Sequence, residues 1–229
     1  MRLSNVRTNV RNGIAGAVPT LLAWSRYSPR DPVNFVFSNP LMRPAQVAAE
    51  FRRFGEIVSS VKPKAVLEIG TLRGGTLFVL CKLSDPAATI ISVDLPGGPY
   101  GGGYNFLQAS LYRRFRNARQ SVHLLRANSH LESTKAAVRQ ISPQLDLLFI
   151  DGDHTHAGVK RDFELYSPLV RRGGMVVFHD IVPHDMSKFP HEMACGVDRF
   201  WHEIKTSYSH IEIIDDPNQG WAGIGIVNI

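Results

Sequence analysis

Apolar residues recur along this chain in two alternating rhythms. Short runs at Ala65 to Ile69, Thr89 to Asp94, Val122 to Arg126, Leu145 to Ile150 and Met175 to Phe178 are rich in branched side chains and bounded by turn residues. Such runs mark strands buried on both faces of a sheet. Between them the period changes to that of a helix. Val47, Phe51, Phe54 and Val58 share one helical face, as do Val159, Phe163, Tyr166 and Val170. Further helices are predicted over Thr76 to Leu83, Leu131 to Gln140 and Val197 to Lys205, and Leu107, Leu111, Phe115 and Ala118 mark another. The helix before the first strand is expected to begin near Arg43-Pro44, and Gly173-Gly174 to close the one that starts near Ala157. Strand and helix alternate five times, which predicts a doubly wound, mostly parallel α/β sheet with helices on both faces. Two last strands, His210 to Ile214 and Ala222 to Val227, are joined by the turn Asp216 to Gly220, so that pair is expected to be antiparallel. Residues 1–43 carry Pro19, Pro29, Pro32 and Pro40 and little periodicity. They read as a cap or extension, with the main domain over residues 44–229.

The first strand runs into Glu68-Ile-Gly-Thr-Leu-Arg-Gly-Gly75 and leaves as an apolar helix. A strand, a glycine turn and a helix build a nucleotide crevice, because glycine admits close ligand approach and the helix start offers free N–H groups. Gly70 and Gly74 are four apart, so the dinucleotide fingerprint G-x-G-x-x-G fails. The second strand ends at Asp94, 24 residues after Gly70 (94 − 70), a position suited to a carboxylate that takes both hydroxyls of a ribose. Five glycines then fall between Leu95 and Tyr104. That stretch is either a lid over the ligand or a plain loop.

Composition narrows the class. The 229 residues are 44% hydrophobic and 20% charged, which suits a soluble globule of one large domain. The net charge of +6 is concentrated near the N-terminus and in Arg113, Arg114, Arg116 and Arg119. No aromatic-basic alternation accompanies these arginines, so they read as solvated surface rather than a nucleic-acid interface. Pro19 interrupts the one mildly apolar N-terminal stretch, which argues against a signal peptide. No apolar run approaches about 18 residues, so no membrane span is expected. Two cysteines, Cys81 and Cys195, make no disulfide framework, and a reducing, cytoplasmic setting follows.

The fourth strand opens onto Asp151-Gly-Asp-His-Thr-His156, and the fifth runs into His179-Asp180. The segment LDLLFIDGDHTHAGVKRDFELYSPLVRRGGMVVFHDI, with VLEIGTLRGGT, SVDL and GVDRFWHEI, resembles one branch of the class I methyltransferases that use S-adenosylmethionine (SAM). That branch includes the cephalosporin-hydroxylase-like and macrocin-type O-methyltransferase proteins. The resemblance covers roughly residues 44–229. It implies a seven-stranded sheet of Rossmann-like methyltransferase type with an antiparallel last strand, SAM as methyl donor, and a divalent cation, magnesium or manganese. It also implies that Glu68, Gly70, Thr71 and Gly74 shape the methionine and ribose pocket, and that Asp94 takes the ribose. Asn128 and Ser129 would hold the adenine. Asp151, which also borders the cofactor, would ligate the metal with His179 and Asp180 and take part in catalysis, and His154 would be the general base.

A carboxylate is commoner at position 179 in metal-dependent relatives, and the histidine here shifts preference away from magnesium. Asp151 has a second reading as the cap of the following helix. A zinc site from His154, His156 and His179 is another arrangement of the same residues. The expected function is O-methylation of a small hydroxyl-bearing molecule, a sugar unit of a natural product or a polyphenol. Self-association is left open. The rivals are a SAM-binding partner protein without methyl transfer and a nicotinamide-dependent oxidoreductase.

Overall fold

The computed structural model describes residues 29–98, 102–185, 187 and 195–229. In chain order the elements are helices α1 (Pro32–Phe37) and α2 (Ala48–Val61), strand β1 (Ala65–Ile69), α3 (Gly75–Leu83), β2 (Thr89–Asp94), α4 (Phe106–Tyr112), β3 (Ser121–Arg126), α5 (Glu132–Ile141), β4 (Leu145–Ile150), α6 (His156–Tyr166), β5 (Val170–His179), α7 (Val197–Ile204), β6 (Ser209–Ile213) and β7 (Ile224–Asn228). Seven strands form one sheet in the order β3-β2-β1-β4-β5-β7-β6. The first five are parallel, and β7 alone is reversed, pairing antiparallel with both β5 and β6.

Alternate strand residues feed two apolar layers, as the pleat requires. Val66, Leu147 and Val177 pack with α1 to α4 on one face. Leu67, Leu148 and Val176 pack with α5 to α7 on the other. Two acids, Glu50 buried and Asp146 half-buried, tie elements together through backbone N–H groups. Glu50 on α2 accepts from Asp215 and Gly223 of the β6–β7 connection at 3.0 Å each. Asp146, the one acid in apolar β4, accepts from the backbone of Lys64 and Ala65 and from Arg171. Among the described residues no helix is long and apolar enough to cross a membrane.

Three expected boundaries shift, each for a tertiary reason. The helix before β1 starts at Ala48 rather than near Arg43. The chain from Met42 lies against the start of α3 instead, so closely that a Cβ on Gly75 would come within 2.0 Å of the Met42 carbonyl oxygen. The helix after β4 stops at Tyr166 and passes through a 3₁₀ turn at Ser167–Leu169 that contains Pro168. Gly173 and Gly174 lie inside β5, where they exchange backbone hydrogen bonds with Ile229. Finally, the helix expected from Leu107 to Ala118 ends at Tyr112, leaving Phe115 and Ala118 beyond it, and it buries Ala109 and Tyr112 while Leu107 is 82% exposed. Of the expected cap, residues 29–43 are described, and Val33, Val36 and Met42 belong to the core. Residues 1–28 lie outside the described residues, as do 99–101 of the glycine-rich stretch.

Candidate active site

The strand order reverses between β1 and β4, and their carboxyl ends open a crevice where α/β sheets bind ligands. The loop after β1 makes its upper edge. Gly70 and Gly74 take the left-handed region at φ 88° and 76°, and Leu72 joins them at 45°. Asp94 fixes this loop. Its Oδ2 accepts from the N–H groups of Thr71 at 3.2 Å and Leu72 at 2.9 Å. Burial pushes the Asp94 carboxyl upward in pKa, opposed by these backbone donors. Glu68 points beneath the loop and is fully buried, with Oε2 accepting from the Thr71 hydroxyl at 2.7 Å. Burial holds its pKa well above the ordinary range. Its other oxygen has no hydrogen-bond partner.

A cavity of about 430 Å³ follows the crevice, within the ordinary range for small-molecule sites. Gly70, Thr71, Asp94, Asn128, Ser129, Asp151, His154, His179 and Asp180 all border it. Glu68 and Gly74 do not. Glu68 lies under the floor, and Gly74 packs so tightly on Tyr112 that a Cβ would meet its ring at 2.8 Å. At one end the turn after β3 is held from within. Asn128 Oδ1 accepts from the N–H of His130 at 2.8 Å, and the Ser129 carbonyl accepts from the Tyr166 hydroxyl at 2.7 Å.

At the other end β4 and β5, which are neighbours, deliver their terminal side chains together. Ligand atoms of Asp151, His179 and Asp180 lie within 4.8 Å of one another. His179 Nδ1 stands 3.1 Å from Asp151 Oδ1 and 3.4 Å from Asp180 Oδ1. Across from them, His154 Nδ1 is 2.8 Å from Asp180 Oδ2. Burial works against charge on both rings, yet the Asp180 and Asp151 carboxylates hold the two histidines well above the usual imidazole pKa. Burial likewise opposes charge on Asp180, and the His179 charge with the His154 contact outweighs it, keeping that carboxyl well below its usual value. Asp151 does not cap α6, since Thr155 does so by accepting from Gly158 N–H at 3.0 Å. His156 turns away to Glu203 at 2.8 Å and belongs to neither ligand group found among the described residues.

Sequence reasoning missed several lining residues. His184 borders the cavity and stands 3.3 Å from Asp180, four residues earlier. That spacing was a readable signal. Gln46 reaches Asp151 Oδ2 at 3.3 Å, and Trp221 lines the wall from the β6–β7 connection. Nothing local in the sequence announces either of them.

A sheet of this order, with one reversed strand and an acid closing β2, is that of a class I methyltransferase. The dinucleotide enzymes instead continue their sheet in the order 3-2-1-4-5-6. The chain belongs to the methyltransferase-domain family, which it matches over residues 67–181. An uncharacterised protein of Acanthamoeba polyphaga mimivirus is 31% identical over 114 residues, half of each chain. The chain spans half or less of the length of the curated relatives it matches. Among solved structures, the O-methyltransferase of Bacillus cereus in complex with SAH superposes with a TM-score of 0.56 at 18% identity, covering 93% of this chain and 100% of that one. MycE of the mycinamycin pathway, in complex with Mg, SAH and mycinamycin VI, gives a TM-score of 0.56 at 16% identity over 88% of this chain and 55% of its own.

Proposed function

We propose that this chain is a SAM-dependent O-methyltransferase that acts on a hydroxyl of a small molecule. The observation that carries this reading is one cavity with two distinct ends. The glycine loop and Asp94 lie at the first, and His154 stands beside two carboxylates at the second. Asp94 would take the ribose hydroxyls of SAM while keeping its hold on the loop. Asn128 and Ser129 would border the adenine, and Gly70 and Thr71 the methionine portion.

Transfer needs an acceptor oxygen held in line with the methyl carbon and relieved of its proton. His154 would take that proton as the oxygen–carbon bond forms and the carbon–sulfur bond breaks. The sulfonium leaves as a neutral thioether. Asp180 orients the base through Nδ1, as a carboxylate does for a histidine in hydrolytic triads. The leading acceptor is a sugar unit of a natural product, with a polyphenol second. Polar groups lining this end would grip neighbouring hydroxyls. Two free thiols are consistent with a reducing, cytoplasmic setting.

The donor set Asp151, His179 and Asp180 fits a divalent cation. The His179 ring already stands within reach of both carboxylates, at 3.1 and 3.4 Å, and an imidazole suits manganese or a later ion better than magnesium. Such an ion, when bound, would acidify an acceptor hydroxyl and weaken the hold of the carboxylates on the His154 proton. Exhaustive chelation is therefore expected to remove most turnover, with manganese restoring more than magnesium. Turnover that survives chelation would leave the base and strike out the ion.

Two binding experiments test the SAM end. Asp94→Ala is expected to weaken SAM by about 1.5–3 kcal/mol, the range for a hydrogen bond to a charged group. Calorimetry with unchanged affinity would remove Asp94 from the site. The glycine-rich stretch also meets this acid, since a Cβ on Gly102 would lie 2.8 Å from Asp94 Oδ1. Amide exchange between Pro96 and Gly103 is expected to slow when SAM binds. Equal exchange with and without SAM would make the stretch an ordinary loop.

A further inference from the structure

The acceptor end gathers more ligand groups than methyl transfer uses. Asp180 sits at φ 66°, a left-handed backbone uncommon outside glycine, and its carboxylate faces two ways. Oδ1 meets His179 and His184, and Oδ2 meets His154. The Cys195 thiol lies against the second side, 3.9 Å from the Asp180 carbonyl oxygen. It is brought there by the next residue, because Gly196 N–H donates to the His154 carbonyl at 2.8 Å. A Cβ at position 196 would come within 2.7 Å of the His156 nitrogen, so glycine is what lets these segments close. Ligand atoms of His154, Asp180 and Cys195 all lie within 4.8 Å of one another.

We propose that His154, Asp180 and Cys195 form a binding site for a soft divalent transition ion, zinc foremost, with the His184 imidazole beside the fourth position. A sulfur, an oxygen and one or two imidazole nitrogens make a zinc donor set. Zinc bonds of about 2.0–2.3 Å place tetrahedral ligands about 3.3–3.8 Å apart. The present contacts lie at or below the short end of that spacing, at 2.8 Å from His154 to Asp180 and 3.3 Å from His184 to Asp180. Small side-chain movements therefore suffice. Thiolate selects zinc, cobalt or copper(I) over magnesium and calcium. Binding would release the thiol proton. This site differs from the Asp151–His179–Asp180 group, shares Asp180 with it, and exists whether or not the chain transfers methyl groups. Where the chain does so, zinc here takes the base out of action.

The test uses the full chain, stripped of metal and kept in a phosphine reductant. Cobalt(II) is expected to bind at one equivalent with a thiolate-to-cobalt charge-transfer band, and zinc to abolish the band by displacement. Cys195→Ser should lose the band. It should also weaken zinc by more than the ~10–100-fold that an outer-shell partner costs. On the unmodified chain, zinc should slow alkylation of Cys195 while magnesium does not. Cys81 is fully buried and stays silent in that measurement. A saturating cobalt titration without the band, a band that persists in Cys195→Ser, or alkylation indifferent to zinc would each overturn the site.

Discussion

Replacing His154 with alanine is expected to lower kcat by about 10²–10⁴-fold, the contribution of a positioned general base, while SAM affinity changes little. The ring borders the cavity at the end away from Asp94, and its Nδ1 is fixed by Asp180 at 2.8 Å. A residue that merely packed there would show its loss in stability and in SAM binding together. A base shows it in the chemical step alone, so single-turnover rates and calorimetry on the same preparation separate the two. His154→Gln retains polarity but lacks the basicity, and it is expected to behave like alanine. Turnover equal to that of the unmodified chain, once an acceptor is found, would remove His154 from the chemistry.

Gly70→Ala is expected to cost about 2–5 kcal/mol of stability and to abolish SAM binding. Gly70 stands at φ 88°, where a side chain is strained by about 1–2 kcal/mol. Its missing Cβ would also meet the Asp151 carbonyl oxygen at 2.0 Å and Gly152 Cα at 2.9 Å. Both are backbone atoms of the opposite rim, so relief requires moving β4 away from β1. Forced overpacking of this kind adds about 1–3 kcal/mol. Gly97 supplies the control, for it has a similar φ of 71° and nothing within 4 Å of an added methyl. Gly97→Ala should therefore carry only the backbone share. Urea midpoints that fall equally for the two variants would show that the crevice tolerates a methyl group between its rims.

The strands were the legible part of the sequence. Thr89–Asp94 and Leu145–Ile150 occupy the spans their apolar runs indicate, because strands buried on both faces leave no freedom in the pattern. Acids at the strand ends were legible for the same reason, since a charge that ends a mostly apolar run must sit at the rim. What failed was any feature decided by a distant partner. Pro44 looks like a helix start until Met42 is seen packed on Gly75. Gly173-Gly174 looks like a helix stop until Ile229 pairs with it. In the site, Asp151, His179 and Asp180 could be joined from sequence because β4 and β5 had to be neighbours. Cys195 could not, as it lies outside any strand and is brought to His154 and Asp180 by one backbone bond from Gly196.

Calorimetric titration with SAM, its demethylated product and NAD tests the central assignment most directly. One molecule of SAM or product per chain is expected, with a negative heat-capacity change from apolar burial in the cavity, a weaker signal in Asp94→Ala, and no heat from NAD. NAD binding in the crevice, with SAM and its product both inert, would contradict the methyltransferase reading.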